Sequence, residues 1–221
     1  STRQKIYHTI YNNSQRILLL LNQLMDVRKI DKGLMNLSFK KTDISAFIKN
    51  ICEIFTHEYK LKNIKLTLHN FDNFNEDVWV DPAYFDKIII NILSNAIKYT
   101  PSNGEIDVFI RKGYDESVPE PLNNYFEIII QDNGIGISKD EIEHIFERFY
   151  QIRNNVNNTN IGTGIGLHLT LSLVKLHHGS IKVESNTYEF SGSKFFIRIP
   201  LGKSHLTEEE IDEGADYSIM K

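Results

Sequence analysis

The sequence predicts an α+β fold, a two-layer sandwich in which helices cover one face of a mixed sheet, preceded by a segment of helical bundle. Two observations predict it. Stretches with helical periodicity interleave with short alternating stretches, and most of the alternating stretches form pairs that a hairpin can connect. With 221 residues, the chain can hold one sizeable domain and a smaller element. We therefore expect a bundle helix within residues 1–40, a main domain in residues 41–201 and a C-terminal linker in residues 202–221.

The first helix is predicted from apolar residues spaced by alternating fours and threes, which is the seam of a coiled coil or helical bundle. The seam comprises Ile6, Ile10, Asn13, Ile17, Leu20, Leu24 and Val27. Leu21 and Met25 widen the apolar face toward what a four-helix bundle needs, and Gly33 is expected to end the helix. The alternative is a helix that packs only on its own domain.

The first half of the main domain alternates between helix and strand signals. Thr42 or Asp43 is a good N-cap for a second amphipathic helix that extends to Phe55. Alternating apolar residues predict a strand at 64–68, and a short strand follows at 78–80. Pro82 then opens a helix that extends to Tyr99.

The second half predicts most of the sheet. Strands at 106–110 and 125–131 are separated by a polar surface loop, and strands at 180–186 and 193–200 close the domain. Between these two pairs we expect a short helix at 139–149, an Asn-rich segment at 150–162, and a helix at 164–178 that Gly179 stops. The acidic tail after residue 202 is expected to be solvated.

Bulk composition limits the possible partners. Hydrophobic residues make up 41% and charged residues 24% of the chain, as in an ordinary soluble globular protein. The net charge of -4 gives no general electrostatic reason to bind nucleic acid, which usually needs a basic face, so we expect no nucleic-acid binding. The single cysteine, Cys52, cannot form an intramolecular disulfide and is expected in the core. No apolar run approaches the about 20 residues of a membrane span. The chain lacks a signal-peptide pattern and an initiating Met, so we expect a piece of a longer protein.

Three polar residues share one face of the helix that begins at Pro82. Asn91, Asn95 and Lys98 are spaced at i, i+4 and i+7. Two amide oxygens can coordinate magnesium while an ammonium offsets phosphate charge, so this face suits a magnesium-bound triphosphate. The alternative is an ordinary solvated helix face.

A carboxylate follows the apolar strand at 125–131. Asp132 emerges at the end of the strand, where a pocket can hold it, and Gly134 and Gly136 allow backbone to approach a ligand closely. A carboxylate only accepts hydrogen bonds, so it suits the exocyclic amine of adenine and not the carbonyl of guanine. The alternative is a simple Asp-Asn-Gly turn.

A glycine-rich run precedes the helix at 164–178, and its amides together with the helix dipole favour phosphate. The preceding residues are polar loop, which excludes the dinucleotide fingerprint, and no Gly-Lys-Ser or Gly-Lys-Thr follows, which excludes a P-loop. We expect Phe146 and Phe149 to anchor one end of a mobile lid at 150–162. Arg148 and Arg153 either reach phosphate from this lid or remain solvated. The Asn-rich segment is alternatively no more than a disordered loop.

These four segments, in this order, resemble the N, G1, F and G2 boxes of the ATP-binding domain of sensor histidine kinases. The wider group includes gyrase, the mismatch-repair ATPases and the heat-shock chaperone ATPases. The segments are Asn91 to Tyr99, Asp132 to Gly136, Phe146 to Phe149, and Gly162 to Leu167. The resemblance implies that Asn95 is the principal Mg²⁺ ligand, that Asn91 assists and that Lys98 meets phosphate. It also places in the ATP site Tyr99, Asp132, Gly134, Gly136, Ile137, Phe149, Gly162, Thr163, Gly164, Ile165, Gly166 and Leu167.

The resemblance also suggests the reaction. Hydrolysing relatives carry an acidic base four residues before the magnesium-binding asparagine, whereas this chain has Asn91 there. An amide cannot deprotonate water, which favours transfer of the γ-phosphate to a histidine. His8 precedes Thr9 and lacks the acidic neighbour of the family's acceptor, so we expect the acceptor on a helix upstream of Ser1. The alternatives are a hydrolysing conformational ATPase and a nucleotide-binding module without transfer.

The resemblance extends beyond the boxes. Residues 14–33 resemble the second helix of the dimerisation domain, which implies a homodimer in the full-length protein. Residues 202–211 resemble the linker to a receiver domain in hybrid sensors, so a receiver domain or response regulator is the expected partner. The family context implies the cytoplasmic portion of a membrane-bound bacterial sensor.

Overall fold

The computed structural model describes residues 2–71, 74–152, 163–187 and 191–214. Its helices are α1 (Thr2–Asp31), α2 (Ile44–Ile54), α3 (Thr56–Leu61), α4 (Pro82–Tyr99), α5 (Lys139–Ile142) and α6 (Gly166–Leu176). Its strands are β1 (Lys40–Lys41), β2 (Lys65–His69), β3 (Trp79–Val80), β4 (Glu105–Tyr114), β5 (Asn124–Asp132), β6 (Ser180–Asn186) and β7 (Gly192–Pro200). In the described ranges, no helix is both long enough and apolar enough to cross a membrane.

Five strands form one mixed sheet in the order β2-β4-β5-β7-β6. β2 runs parallel to β4, and the other neighbours are antiparallel. β1 and β3 form a separate two-stranded antiparallel sheet. The predicted α+β class with a mixed sheet is confirmed.

The core lies between one face of this sheet and the helices α2, α4 and α6. Ile110, Ile128 and Ile197 lie on three neighbouring strands and are fully buried. Ile88 and Ile92 of α4 and Leu173 of α6 are also fully buried. Helices on one face of the sheet therefore give the predicted two layers, and the boxes on α4 and α6 are held by the same core.

Helix caps explain where α2 and α4 begin. The Asp43 carboxylate accepts a hydrogen bond from the Ala46 amide at 2.9 Å. The Asp81 carboxylate accepts from the Ala83 amide at 2.9 Å, and Pro82 occupies the first turn of α4. These side chains satisfy amides that the first helical turn leaves without partners, so both predicted starts are confirmed.

The predicted helix at 139–149 is wrong in length, because only Lys139–Ile142 is helical. Residues 143–149 continue as turns, in which the amide of Glu147 donates to the carbonyl of His144 at 2.8 Å. The segment ends at Phe149 with φ 62, a left-handed conformation that a helix cannot contain.

The helix predicted at 164–178 is also shorter at both ends. Gly164 has φ 70, so α6 begins only at Gly166. At the other end His178 takes the left-handed position with φ 57, and the amide of Gly179 donates to the carbonyl of Val174 at 2.9 Å. A Cβ at Gly179 would overlap the β7 backbone, so this glycine permits close packing while His178 makes the turn.

The described part of the tail, residues 202–214, stays at the surface as predicted, but it also docks on the domain, which the sequence did not predict. The amide of Phe39 donates to the carbonyl of Glu210 at 2.7 Å, and the amide of Asp212 donates to the carbonyl of Phe39 at 2.9 Å. Leu206 and Ile211 pack against the core. The sequence did not predict this docking, because the segment is mostly polar and only two apolar residues and a short backbone pairing hold it. Its role as a linker to a further domain stays a prediction.

The alternative of a helix packed on its own domain holds for only part of α1, and the bundle stays a prediction for the rest. Its last third packs on the domain, where Val27 is buried and Asp26 accepts from Lys87 of α4 at 2.6 Å. The upstream seam residues Ile10 and Ile17 are 56% and 57% exposed. Gly33, with φ 64, ends the helix as predicted.

Candidate nucleotide-binding site

The polar face of α4 turns toward the start of α6. The side-chain amide of Asn91 donates to the hydroxyl of Thr170 at 2.8 Å. A Cβ at Gly166 would overlap the Oδ1 atom of Asn91, so only glycine lets the asparagine oxygen lie against the first residue of α6. The N box and the G2 box therefore meet at this contact.

Asn95 and Lys98 continue the same face toward the C-terminal end of α4. Both are half-buried, and within the described residues no hydrogen bond engages the Asn95 amide. The Nζ atom of Lys98 lies 4.8 Å from the centre of the Tyr99 ring, and Tyr99 is 45% exposed. An amide oxygen and an ammonium are thus available to a ligand on one side of the helix.

Asp132 lies at the end of β5 with only 8% of its surface exposed. Burial raises the pKa of its carboxyl group, while hydrogen bonds from the amides of Gly134 and Ser193 act in the opposite direction. The Gly134 amide donates to Oδ1 at 2.8 Å. The structure therefore holds a buried hydrogen-bond acceptor at this point, as the sequence predicted.

The loop after Asp132 contacts the end of α4. A Cβ at Gly134 would lie 2.6 Å from the carbonyl oxygen of Tyr99, and the Ile135 amide donates to that oxygen at 3.4 Å. Gly134 therefore lets the G1 box pack against the N box without a side chain between them.

The second part of this loop packs on the edge of the sheet. Gly136 has φ 70, and a Cβ there would overlap the carbonyl of Asn186 in β6. The amide of Ile137 donates to the Ser185 hydroxyl at 2.8 Å. These contacts fix the path of the loop between the sheet edge and α5.

The F box and the G2 box meet through backbone. The amide of Phe149 donates to the carbonyl of Gly164 at 2.8 Å, and a Cβ at Gly164 would lie 2.6 Å from the Phe149 carbonyl carbon. Phe146 packs against the core, whereas the Phe149 side chain is 64% exposed. Phe146 is therefore a core residue and Phe149 is not, and the role of both as anchors of a lid stays a prediction. Gly162, Arg153 and the lid from residue 153 to 162 lie outside the described residues.

The N-terminal end of α6 is open to an anion. No side chain caps it in the described part of the chain, so the N–H groups of its first turn can donate to a ligand. Ile165 is buried and Leu167 is half-buried against the core, so these two residues offer backbone and not side chains to a ligand. Thr163 supports this turn, because its hydroxyl accepts from the Ile165 amide at 3.3 Å.

Helix α1 also contacts these segments. The Thr163 hydroxyl donates to Gln23 at 3.2 Å, and the Arg148 guanidinium pairs with Asp31. Arg148 also donates to Nε2 of His168 at 2.9 Å. In this structure Arg148 is therefore bound to α1, and the alternative that it reaches phosphate is not observed.

The site contains supporting residues that the sequence did not single out. Thr170 orients Asn91, Ser185 holds the amide of Ile137, and Lys62 contacts the end of α4. A single Thr, Ser or Lys carries no local signal, so only the tertiary contacts reveal these three.

The donor types present fit a nucleotide-borne magnesium ion better than a protein-held one. In the described residues, no group of three or more His, Cys, Asp or Glu could hold a metal. Amide oxygens at Asn91 and Asn95 can supply one or two ligands, which is the usual protein share when phosphates and waters complete the shell.

Comparison with protein families agrees with this geometry. Residues 80–203 match the family described as histidine kinase-, DNA gyrase B-, and HSP90-like ATPase. This range is more than half of the chain, and it contains all four boxes.

Two curated relatives extend the similarity to α1. The chain is 32% identical over 205 residues to histidine kinase P4 of Formosa agariphila. This alignment covers 91% of this chain and 14% of that protein. It is 32% identical over 200 residues to sensor histidine kinase YclK of Bacillus subtilis, which covers 90% of this chain and 39% of that protein. The chain spans less than half the length of these relatives.

Solved structures share the fold. Full-length ShkA in complex with AMPPNP superposes with a TM-score of 0.74 at 18% identity, over 91% of this chain and 39% of that one. The Acinetobacter baumannii histidine kinase AdeS superposes with a TM-score of 0.67 at 18% identity, over 89% of this chain and 84% of that one.

The fold and the arrangement of the boxes define an ATPase domain, and the chain belongs to the family of histidine kinase-, DNA gyrase B- and HSP90-like ATPases. Its relatives by sequence include histidine kinases, with which it aligns over about nine-tenths of its own length.

Proposed function

We propose that this chain binds Mg-ATP and transfers the γ-phosphoryl group to a histidine that lies outside it, on an upstream helix of the full-length protein. One observation carries the proposal: the boxes meet around the polar face of α4. Asn91 contacts Gly166, and the Tyr99 carbonyl contacts Gly134. Phe149 pairs with Gly164 through backbone. Segments far apart in sequence thus meet, and the proposed nucleotide cleft has an acceptor at one end and donors at the other.

The adenine end of the cleft is formed by Asp132. Its buried carboxylate accepts hydrogen bonds only, and the exocyclic amine of adenine donates. Gly134 lets the backbone lie directly against this carboxylate, because a Cβ there would lie 2.6 Å from Asp132 Oδ1. The exposed Tyr99 ring adjoins this space and can line it.

The phosphate end of the cleft is formed by α4 and α6. Lys98 supplies a positive charge, and the uncapped first turn of α6 supplies amides. Asn95 is proposed as the principal ligand of Mg²⁺, with Asn91 as the second. When bound, the ion would offset the negative charge that the phosphates carry during transfer. The amides of Asn91 and Asn95 would hold the triphosphate in line with an incoming acceptor.

Asn91 favours transfer over hydrolysis. Its side-chain amide donates to Thr170 and cannot take a proton from water. Nothing in the described residues favours the hydrolysing ATPase over the kinase.

The acceptor and partners follow from the same proposal. His8 lies on α1 before Thr9, outside the acidic context of the family's acceptor. The exposed seam of α1 fits a bundle completed by a partner helix in a homodimer. A receiver domain or response regulator is the proposed destination of the phosphoryl group. We propose that the full-length protein is a membrane-bound bacterial sensor and that this chain lies in its cytoplasmic portion.

Phosphorylation in trans tests the proposal. The chain alone should bind Mg-ATP but acquire no label from [γ-³²P]ATP, and it should hydrolyse ATP slowly. Adding a second polypeptide of the same protein that carries the upstream helix and a complete bundle should give an acid-labile phosphohistidine. Asn95→Ala should abolish the transfer, because it removes the proposed magnesium ligand.

Asn50→Ala is a matched control, since Asn50 is exposed on α2 away from the cleft. It should leave transfer unchanged. Acid-labile label on the isolated chain, above all at His8, would contradict the position of the acceptor. Rapid turnover of ATP without any acceptor would instead support the hydrolysing ATPase.

A further inference from the structure

Lys62 follows α3 and reaches the C-terminal end of α4. Its ammonium donates to the carbonyl oxygens of Ile97 at 2.7 Å, Lys98 at 3.0 Å and Thr100 at 3.0 Å. All three N–H groups of the ammonium therefore donate to backbone carbonyls at the C-terminal end of α4. Lys98 belongs to the N box, so this contact lies directly behind the proposed phosphate-binding side chain.

The last turn of α4 depends on such outside donors, because the last four carbonyls of a helix have no partner within it. In α4 these belong to Ala96, Ile97, Lys98 and Tyr99. Thr100 caps the Ala96 carbonyl with its amide at 2.9 Å and its hydroxyl at 2.7 Å. Ile135 donates to the Tyr99 carbonyl, and Lys62 donates to the other two. A cation at this position also opposes the negative end of the helix dipole.

Lys62 is itself held in place. Its carbonyl accepts from the Asn103 amide at 2.9 Å, and the neighbouring Asn63 donates from its side chain to Asn103 at 2.7 Å. The turn after α3 and the turn after α4 therefore form one unit, with the ammonium between them. Burial lowers the pKa of Lys62.

We propose that Lys62 is a positioning residue for the nucleotide site: it fixes the end of α4 so that Lys98 stays aimed at the phosphates. The proposal rests on the function proposed above. Without Lys62 the carbonyls of Ile97 and Lys98 lose their donor, and the last turn of the helix can fray. Fraying moves the Lys98 backbone and misplaces its ammonium, while the core residues of α4 further upstream stay packed.

A double-mutant cycle in the whole chain tests this. Lys62→Met and Lys98→Ala are measured singly and together by calorimetric titration with Mg-AMPPNP, with thermal unfolding recorded for each. Lys62→Met should weaken binding roughly three- to ten-fold, in the range of a lost cation at a helix end. In the Lys98→Ala background the same change should have less than about half this effect, since the side chain that it positions is absent.

Lys62→Arg should recover at least half of the lost affinity, because a guanidinium also donates to several carbonyls. Lys60→Met is the matched control: it removes the same charge from an exposed position on α3 and should leave binding unchanged. If Lys62→Met folds poorly, the cycle is run with Lys62→Gln.

Two results would overturn the proposal. One is a lower unfolding temperature for Lys62→Met with unchanged affinity, which indicates a purely structural cap. The other is full additivity with Lys98→Ala, which shows that Lys62 does not act through Lys98. Failure of the wild-type chain to bind Mg-AMPPNP would instead reject the proposed function, so the two failures are distinguishable.

Discussion

Replacing Asp132 with Asn tests whether this carboxylate selects adenine. The side chain is 8% exposed and accepts from the Gly134 amide at 2.8 Å. Asparagine has nearly the same size, and its oxygen can still accept from Gly134. Its NH₂ group then faces the cleft, where it would oppose the amine of adenine with a second donor. Loss of a hydrogen bond to a charged acceptor costs about 1.5 to 3 kcal/mol, so ATP should bind roughly ten- to a hundred-fold more weakly.

Calorimetric titration with Mg-ATP and Mg-GTP measures this. The wild-type chain should prefer ATP, and Asp132→Asn should lose most of that preference. The pH dependence supplies a second readout. Burial raises the pKa of Asp132, so acidification removes this acceptor at a higher pH than it would for an exposed aspartate. ATP affinity of the wild-type chain should therefore fall as the pH is lowered, and the affinity of the variant should fall less.

Gln131→Ala is the control, because Gln131 precedes Asp132 on β5 but is exposed. It should bind ATP as the wild-type chain does. Equal affinities of the wild-type chain for ATP and GTP, or an Asp132→Asn variant within two-fold of wild type, would refute the assignment.

Three further predictions concern other parts of the molecule. Burial lowers the pKa of His177 to about 4, so the unfolded chain takes up more protons than the folded one as pH falls from the ordinary value of about 6.5. The free energy of unfolding should therefore fall by about 2 kcal/mol between pH 7 and pH 5 because of this histidine. In urea unfolding, His177→Asn should weaken this pH dependence, whereas the control His57→Asn, at an exposed position, should leave it unchanged. Gly166→Ala should weaken Mg-ATP binding about ten-fold, because the added Cβ displaces the Asn91 side chain. Thermal stability should change little, because alanine gains about 1 kcal/mol in helix propensity over glycine. Unchanged binding would contradict the contact between Gly166 and Asn91. Ile10→Asp should reduce the weak association of the chain, measured by sedimentation at several concentrations, without changing ATP binding, since Ile10 is 56% exposed on α1. A chain extended upstream should associate more tightly. A tight dimer of residues 1–221 alone would show that one helix suffices.

The local pattern of the sequence was enough to predict the sheet and the main helices. Alternation placed β4 because only one face of it is buried in the core and side chains alternate between faces, whereas β5 was placed by an apolar run that is buried on both faces. Asp43 and Asp81 marked helix starts because a capping carboxylate acts on amides within three residues. The spacing of Asn91, Asn95 and Lys98 placed them on one helical face for the same local reason.

Contacts between distant segments were decided only by the tertiary structure. The two-residue strand β1 is too short to carry a pattern, and it exists because it pairs with β3, which the sequence predicted at 78–80. The left-handed turn at His178 has no sequence signal, because close packing against β7 reserves the next position for Gly179. The tail to residue 214 docks through a pairing with Phe39 that depends on where both segments lie.

The site divides in the same way. Its chemical groups were identified from sequence, because the carboxylate, the amides and the glycines each occur next to a recognisable strand or helix. The residues that support these groups were not identified from sequence, because Thr170 contacts Asn91 across 79 positions of sequence and Lys62 caps α4 across 35 positions. Side-chain types and short-range periodicity are properties of the chain itself. The meeting of Asn91 with Gly166, and of Tyr99 with Gly134, arises only when the core brings α4, α6 and the end of β5 together.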